Sequence, residues 1–428
     1  MDRREFLKDS LLLSAFGALA PLAKAEDKLV SPLTSTIEEE KTVSPLTSKP
    51  KVIRRQYRNT EVTIPLLGYG LMRLPRIEPD KQDIDYPAAE KLIERAFEAG
   101  INYFDTAYVY HGGLSEKFVG DVLSKYPRDS YYLATKMPVH ILKKQEQVDQ
   151  IFNEQLKRCK TEYFDFYLLH TLTKGRWEVA KKLKVYEYLK QKQEEGKIRR
   201  LGFSFHDEPE VLEEIASAYP WDFAQIQLNY LDWELYRSRE QYEILAKKNI
   251  PAIIMEPLRG GGLVSLNPSA TQILKTAEPN ASTASWAFRF AGSLPNVLTV
   301  LSGMTYYEHL EDNIKTFSNF RPLTEAEHKT LDKALVEYLK SGVVPCTGCQ
   351  YCVPCPKGIP IPRLFGLYNH SKNTGSWAHL YMVHNGLPEN HKISACVNCR
   401  LCVQKCPQKI DIPAQLKNVE EAIKQLKF

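Results

Sequence analysis

Four side chains of different type stand at or just beyond the ends of three successive apolar runs. Asp105 lies near the end of Ile101–Thr106, and Tyr110 follows in the next loop; Lys136 ends Tyr131–Lys136 and His170 ends Phe164–His170. A phenol with an ordinary pKa near ~10 is a poor acid at neutral pH. A nearby ammonium favours the phenolate and lowers that value. Lys136 can supply the ammonium, and Asp105 can pair with it and keep it charged. His170 can donate a hydrogen bond to a carbonyl oxygen and fix its orientation. Tyr110 would then protonate that oxygen while a hydride reaches the carbon. The set suits carbonyl reduction, or alcohol oxidation in reverse.

These side chains need strands that end at one common face. Strands are predicted at Leu66–Leu71, Ile101–Thr106, Tyr131–Lys136, Phe164–His170, Arg200–Ser204, Phe223–Gln227, Ala252–Glu256 and Leu298–Ser302. Ala88–Ala99, Val148–Cys159, Val179–Gln193 and Glu210–Ala218, between them, space apolar residues by three and four, as helices do. Eight strands alternating with helices indicate an α/β fold with a parallel sheet closed into a (β/α)8 TIM barrel. An open doubly wound sheet would want a Gly-x-Gly-x-x-Gly turn after the first strand, and none follows it here.

The run Asp105-Thr-Ala-x-x-Tyr110, with Ala134-Thr-Lys136, Leu168-Leu-His170, Gly202-Phe-Ser-Phe-His206, Gln225–Tyr230, Met255-Glu-Pro-Leu258 and Ser302-Gly303, resembles the aldo/keto reductase family over about residues 60–320. The resemblance implies that Asp105, Tyr110, Lys136 and His170 form a catalytic tetrad and that NADPH or NADH lies across the carboxyl ends of the strands. The matching cofactor positions are Ser204, His206, Gln225, Glu256, Pro257, Leu258, Ser302, Gly303, Asp312 and Asn313. NADPH-specific members carry basic side chains after the eighth strand. Gly303 and Met304 stand there in this chain, with His309 as the available cation.

Eight of the nine cysteines fall in two clusters: Cys346, Cys349, Cys352 and Cys355, followed by Pro356, and Cys396, Cys399, Cys402 and Cys406, followed by Pro407. Paired Cys-x-x-Cys would suffice for zinc. The third cysteine of each run and the proline after the fourth favour 4Fe–4S clusters. In two-cluster ferredoxins the fourth cysteine ligates the other cluster. One set is therefore Cys346, Cys349, Cys352 and Cys406, and the other Cys396, Cys399, Cys402 and Cys355. An internal repeat agrees: Cys355-Pro-Lys-Gly-Ile-Pro-Ile-Pro362 echoes Cys406-Pro-Gln-Lys-Ile-Asp-Ile-Pro413. Cys159 is read as an incidental thiol. Helices are predicted at Glu325–Lys340 and, closing a small α-helical ferredoxin-like domain, at Ala414–Leu426. Aldo/keto reductases fused to such a module form a subgroup that this chain resembles.

At the start, charged Met1–Lys8, apolar Leu11–Leu22 and Ala23-Lys24-Ala25 make an export signal cut before Glu26. Arg3-Arg4-x-Phe6-Leu7-Lys8 resembles a twin-arginine signal, with Asp2 where Ser or Thr is usual. That route carries folded proteins to the periplasm. The Ser-, Thr-, Pro-, Lys- and Glu-rich stretch 26–50 reads as a flexible tether. The domains expected are then 1–25 signal, 26–50 linker, 51–340 barrel and 341–428 cluster domain. A net charge of +5 on 57 basic and 52 acidic residues gives no reason to expect a nucleic acid partner. No window approaches the roughly 20 apolar residues of a membrane span.

The reading is an exported oxidoreductase with a nicotinamide cofactor, two 4Fe–4S clusters, a small carbonyl or alcohol substrate and a redox partner protein. The alternative is an iron–sulfur electron-transfer or docking protein with a catalytically silent barrel. A third reading makes the clusters purely structural.

Overall fold

The computed structural model describes residues 51–78 and 81–426. The expected signal and tether lie outside the described residues. The described residues belong to one compact unit that holds both the barrel and the cysteine-rich region. Among the described residues, no helix is long and apolar enough to cross a membrane.

Eight parallel strands form a closed barrel: Leu67–Gly70, Tyr103–Asp105, Tyr132–Met137, Phe164–Leu172, Ile198–Phe205, Phe223–Gln227, Ala252–Met255 and Val297–Ser302. The eighth pairs with the first, so no edge is left open. Every residue of Phe164–Leu172 is buried, which is why its middle, Phe166–Leu169, reads as an unbroken apolar run rather than an alternating one. Helices Tyr86–Glu98, Glu146–Arg158 and Pro209–Ala218 fall where three-and-four spacing placed them. The single helix expected over Val179–Gln193 is instead two, Lys174–Lys182 and Val185–Glu194. Lys184 between them has φ +50° and turns the chain, so that Leu183, Val185 and Leu189 are all buried.

A hairpin absent from the sequence reading, Arg54–Gln56 with Thr63–Pro65, closes the amino end of the barrel. Tyr57 and Ile64 pack into the barrel interior with Tyr103, Phe166 and Phe223. The Phe166 ring meets four others edge-on, two of them at 5.0 Å between centroids. With that end plugged by aromatic side chains, the carboxyl end is left for chemistry.

The helix packed last on the barrel, Glu325–Leu339, opens with a capping box from Thr324 and Glu327. Beyond it a second apolar core gathers Val344, Ile359, Leu364, Phe365, Ile410 and Leu416. The internal repeat recurs in the backbone. Each Cys-Pro turn leads to a helix with proline in its first turn, Ile361–Thr374 and Ile412–Lys424. The equivalent turn residues Gly358 and Lys409 both adopt left-handed φ, +67° and +51°.

This region packs on the barrel mouth through polar contacts. Gln227 and Gln408 exchange two hydrogen bonds, of 3.0 and 2.8 Å, and the Tyr236 hydroxyl donates to the Gln408 carbonyl at 2.6 Å. Arg73 donates to the Thr347 carbonyl at 2.7 Å, and Lys409 pairs with Glu208 at 2.6 Å. Behind the glutamines, Arg259 and Asp232 form a fully buried ion pair at 2.9 Å. Gly260 permits the approach: its φ is +66°, and a Cβ there would lie 1.9 Å from the Thr347 carbonyl oxygen. Gly260→Ala is therefore expected to cost about 1–3 kcal/mol and to loosen the docking, seen as a lower thermal midpoint and faster proteolysis after the barrel.

Candidate functional site

The strand ends bring the four candidate residues together. Lys136 is buried in the wall, and its three ammonium hydrogens have three acceptors: Asp105 Oδ1 at 2.5 Å, the Thr106 carbonyl at 2.7 Å and the Tyr110 hydroxyl at 3.3 Å. Gln225 donates to the other Asp105 oxygen at 3.3 Å. The His170 ring stands edge-on to Tyr110 with centroids 6.0 Å apart. At this face Thr171 and Glu256 carry positive φ, +52° and +55°. For a β-branched threonine this is a true outlier. The Ser204 hydroxyl holds it by accepting from the Thr171 amide at 2.7 Å.

Burial sets the protonation states. Burial lowers the Lys136 pKa and raises that of Asp105, and their mutual attraction opposes both shifts. The Tyr110 phenol is pushed well above its usual value by burial first, then by the charges of Asp105 and Glu256. This corrects the expectation that Lys136 would lower it: the ammonium is shared with Asp105 and Thr106, and loss of solvent prevails. Burial also takes His170 well below the usual histidine value, with Lys136 adding to the effect. The resting site thus holds a neutral phenol and a neutral imidazole.

A cavity of about 530 Å³ opens from Asp105, Tyr110 and His170. All eleven other candidate residues line it: Ser204, His206, Gln225, Glu256, Pro257, Leu258, Ser302, Gly303, His309, Asp312 and Asn313. The Asn313 amide donates to the Ser302 hydroxyl at 2.9 Å, and the Ser282 hydroxyl donates to Asp312 at 2.7 Å. Gln225 Oε1 and His170 Nδ1 are buried without hydrogen-bond partners in the chain. Unmet polar atoms on the wall of this cavity fit a nucleotide with amide and hydroxyl groups. The cavity also holds residues that sequence reasoning missed. Arg73, after the first strand, lies against Gly303 and 3.8 Å from Glu256, so a cation besides His309 is present. Thr347, Cys349, Tyr351, Pro407 and Gln408 enter from the cysteine-rich region. Of these, Cys349 was expected only as a cluster ligand; contacts remote in sequence place all five at the cavity, and no local signal marked them for it.

The cysteines gather in the crossed sets. Cys346, Cys349, Cys352 and Cys406 line one small apolar hollow with Ile361, Phe365 and Ile410. Cys355, Cys396, Cys399 and Cys402 line another with Ile359, Val397 and Leu416. Among the described residues, no three His, Cys, Asp or Glu side chains converge as they would on a single metal ion. Four thiols around an apolar hollow suit a polynuclear cluster better than a tetrahedral zinc. Burial raises the Cys349 thiol to about 12, so cluster assembly there must displace its proton. Cys159 is buried under the barrel, away from both sets.

A family model for aldo/keto reductases matches residues 66–336. The chain belongs to the aldo/keto reductase family. It is an oxidoreductase, and a nicotinamide cofactor is the family's general cofactor class. A model of the 4Fe–4S dicluster domain matches residues 345–410, so the C-terminal helical region carries an iron–sulfur domain. The chain is 26% identical to the uncharacterized oxidoreductase YqkF of Bacillus subtilis, over 65% of this chain and 95% of that one. It is 25% identical to an L-galactose dehydrogenase of Arabidopsis thaliana, over 72% and 98%. Its fold matches the holo form of an aldo-keto reductase from Bacillus halodurans with a TM-score of 0.56 and 23% identity, over 66% of this chain and 96% of that one. The aldo/keto reductase barrel and the iron–sulfur domain therefore meet at one cavity.

The histidines give the barrel a pH signature. Burial lowers His111 from 6.5 to about 4 and takes His170 well below the usual histidine value. Between about pH 6.5 and about 4 the unfolded chain binds protons that the folded chain refuses, so stability falls with pH by about 1.4 kcal/mol per unit for each such histidine. The thermal midpoint is expected to drop steadily from pH 7 to pH 5, and His111→Gln to make that slope shallower.

Proposed function

We propose that this aldo/keto reductase interconverts small carbonyl compounds and alcohols with a nicotinamide cofactor and exchanges single electrons at two 4Fe–4S clusters. The observation that carries the reading is the shared cavity. Tyr110, backed by the buried Lys136–Asp105 pair, opens into the same space as every position expected to hold a nucleotide. Cys349, a member of one cysteine set, lines that space too.

When bound, the nicotinamide supplies or accepts a hydride, and the clusters supply or accept single electrons. The chain's residues do the rest. The neutral Tyr110 phenol gives its proton to a carbonyl oxygen, or takes one back from an alcohol. Neutral His170 hydrogen-bonds the same oxygen and orients it. Lys136, fixed by Asp105 and Thr106, stabilises the phenolate left behind. Gln225 Oε1 offers an acceptor to a bound nucleotide amide. Arg73 is the one arginine or lysine in the lining, and Glu256 and the Thr347 carbonyl engage it. With its one guanidinium so engaged, the lining offers a ribose phosphate little positive charge, and we read NADH as preferred over NADPH.

Purified holoprotein tests the reading against the electron-carrier alternative. Carbonyl reduction should hold level from about pH 7 to 9, because the phenol stays protonated there. Alcohol oxidation should rise with pH as phenolate becomes accessible. Tyr110→Phe should cut both by about 10²–10⁴ while visible cluster absorbance and nucleotide binding persist. Clusters that reduce and reoxidise reversibly, in a protein that binds no nucleotide and turns over no carbonyl, would establish the carrier instead. Turnover that ignores cluster redox state would make the clusters structural.

Export to the periplasm by the twin-arginine route is part of the same proposal, supported by Arg3-Arg4 and the run to Ala25. Replacing Arg3 and Arg4 by lysine should leave the protein in the cytoplasm with its signal uncut. In the wild type, N-terminal sequencing of the exported form should begin at Glu26.

A further inference from the structure

Part of the cavity wall is supplied by the cluster domain. Thr347, Cys349 and Tyr351 come from the loop that carries the first three cysteines, and Gln408 follows the fourth by two residues. Tyr351 is half-buried beside Tyr110, Cys349, Arg176 and Glu256, so two phenols from different domains bound the same end of the cavity.

This wall is held from several sides. The Arg73 guanidinium holds the Thr347 carbonyl at 2.7 Å, and Gly260 abuts the same carbonyl. Gln408 is fixed by two bonds to Gln227 and by Tyr236 at its carbonyl. A wall clamped at Thr347 and at Gln408 leaves Tyr351 a narrow choice of position. Such a side chain selects by shape.

We propose that the loop Thr347–Tyr351 of the iron–sulfur domain is the substrate-selecting wall of the barrel's active site. Tyr351 is its specificity-determining residue and meets the substituent of the carbonyl substrate. The substrate class this admits is a compact aldehyde or ketone whose flat or short apolar substituent lies against a phenol ring. Larger groups are refused by Tyr351 and by the clamped backbone behind it. The inference rests on the carbonyl-reducing reading above, and it adds that the pocket is incomplete without the C-terminal domain.

The experiment compares wild-type holoenzyme with Tyr351→Ala and Tyr351→Trp on propanal, benzaldehyde and 4-phenylbenzaldehyde, with iron content measured for each preparation. In Tyr351→Ala the ratio of kcat/KM for 4-phenylbenzaldehyde to that for propanal should rise about tenfold or more. In Tyr351→Trp the ratio for benzaldehyde to propanal should fall by a similar factor. A readout free of turnover is the thermal midpoint: 4-phenylbenzaldehyde should raise it in Tyr351→Ala and not in the wild type. Unchanged size ratios and unchanged thermal response in both variants, at wild-type iron content, would overturn the proposal. If the Ala variant loses iron, the Trp variant decides by its benzaldehyde-to-propanal ratio. A wild type inert to all three aldehydes would instead sink the carbonyl-reducing reading, and this inference with it.

Discussion

The ammonium of Lys136 is 1% exposed inside the barrel wall and 2.5 Å from a carboxylate that is hardly more exposed. Taking both charges out of water costs several kcal/mol per ion, and only close pairing with further hydrogen bonds offsets it. The remaining bonds are present: Thr106 and Tyr110 take the other two ammonium hydrogens, and Gln225 takes the second carboxylate oxygen. Removing one member strands the other, so the geometry of the tetrad and the electrostatics of the barrel wall are one constraint. Supports continue behind it. Gln155 donates to the Lys136 carbonyl at 3.1 Å and to Glu116 at 2.6 Å, and Thr135 donates to Glu116 at 2.6 Å. The strand that carries the lysine is thus anchored on its far side by a buried carboxylate.

That constraint explains what could be read without coordinates. A strand that ends at a reactive face shows itself as an apolar run stopped by a polar residue of chemical type, and Asp105, Lys136 and His170 all do so. The nucleotide positions followed by resemblance, and all of them line the cavity. The features that escaped were non-local or lacked a local marker. Lys184 turns the chain at φ +50° with no glycine or proline to signal it, so Val179–Gln193 reads as one helix. The hairpin at Arg54–Gln56 has three-residue strands, too short to show a period of two. Arg73 lies three residues past the first strand, where spacing says nothing about which way an arginine turns. The phenol's pKa was misjudged because composition shows which charges are near but not how completely solvent is removed.

The cysteine sets show the opposite case, where a duplicated motif made a long-range pairing legible. Cys355 and Cys406 each follow a triplet in sequence, yet each lines the other set's hollow. The exchange ties the two halves of the domain together across some 50 residues. Gly358 and Lys409 show what duplication preserves: the turn after each Cys-Pro needs a left-handed residue, and glycine supplies it without strain while lysine does not. Lys409 has a compensating contact, its ion pair with Glu208 on the barrel. One half of the repeat therefore keeps the turn, and the other turns the same position into a domain clasp.

The two sets also differ in what they face. Cys349 shares a cavity with Tyr110 and His170, whereas Cys399 is exposed, with Val397 and Leu401 exposed beside it. A hydride carrier moves electrons in pairs and an iron–sulfur cluster moves them singly, so joining the two chemistries requires the single-electron centre to lie close to the reacting molecule and to keep a second outlet. An arrangement with both sets buried, or both remote from the barrel, would serve a structural role equally well. Instead Arg73, Gly260 and Gln227 of the barrel touch the loops carrying one set, and the domain that carries the cysteines lines part of the mouth. The candidate active site and one cysteine set therefore share a wall, and the polar clamp between Gln227 and Gln408 fixes how far apart they can be.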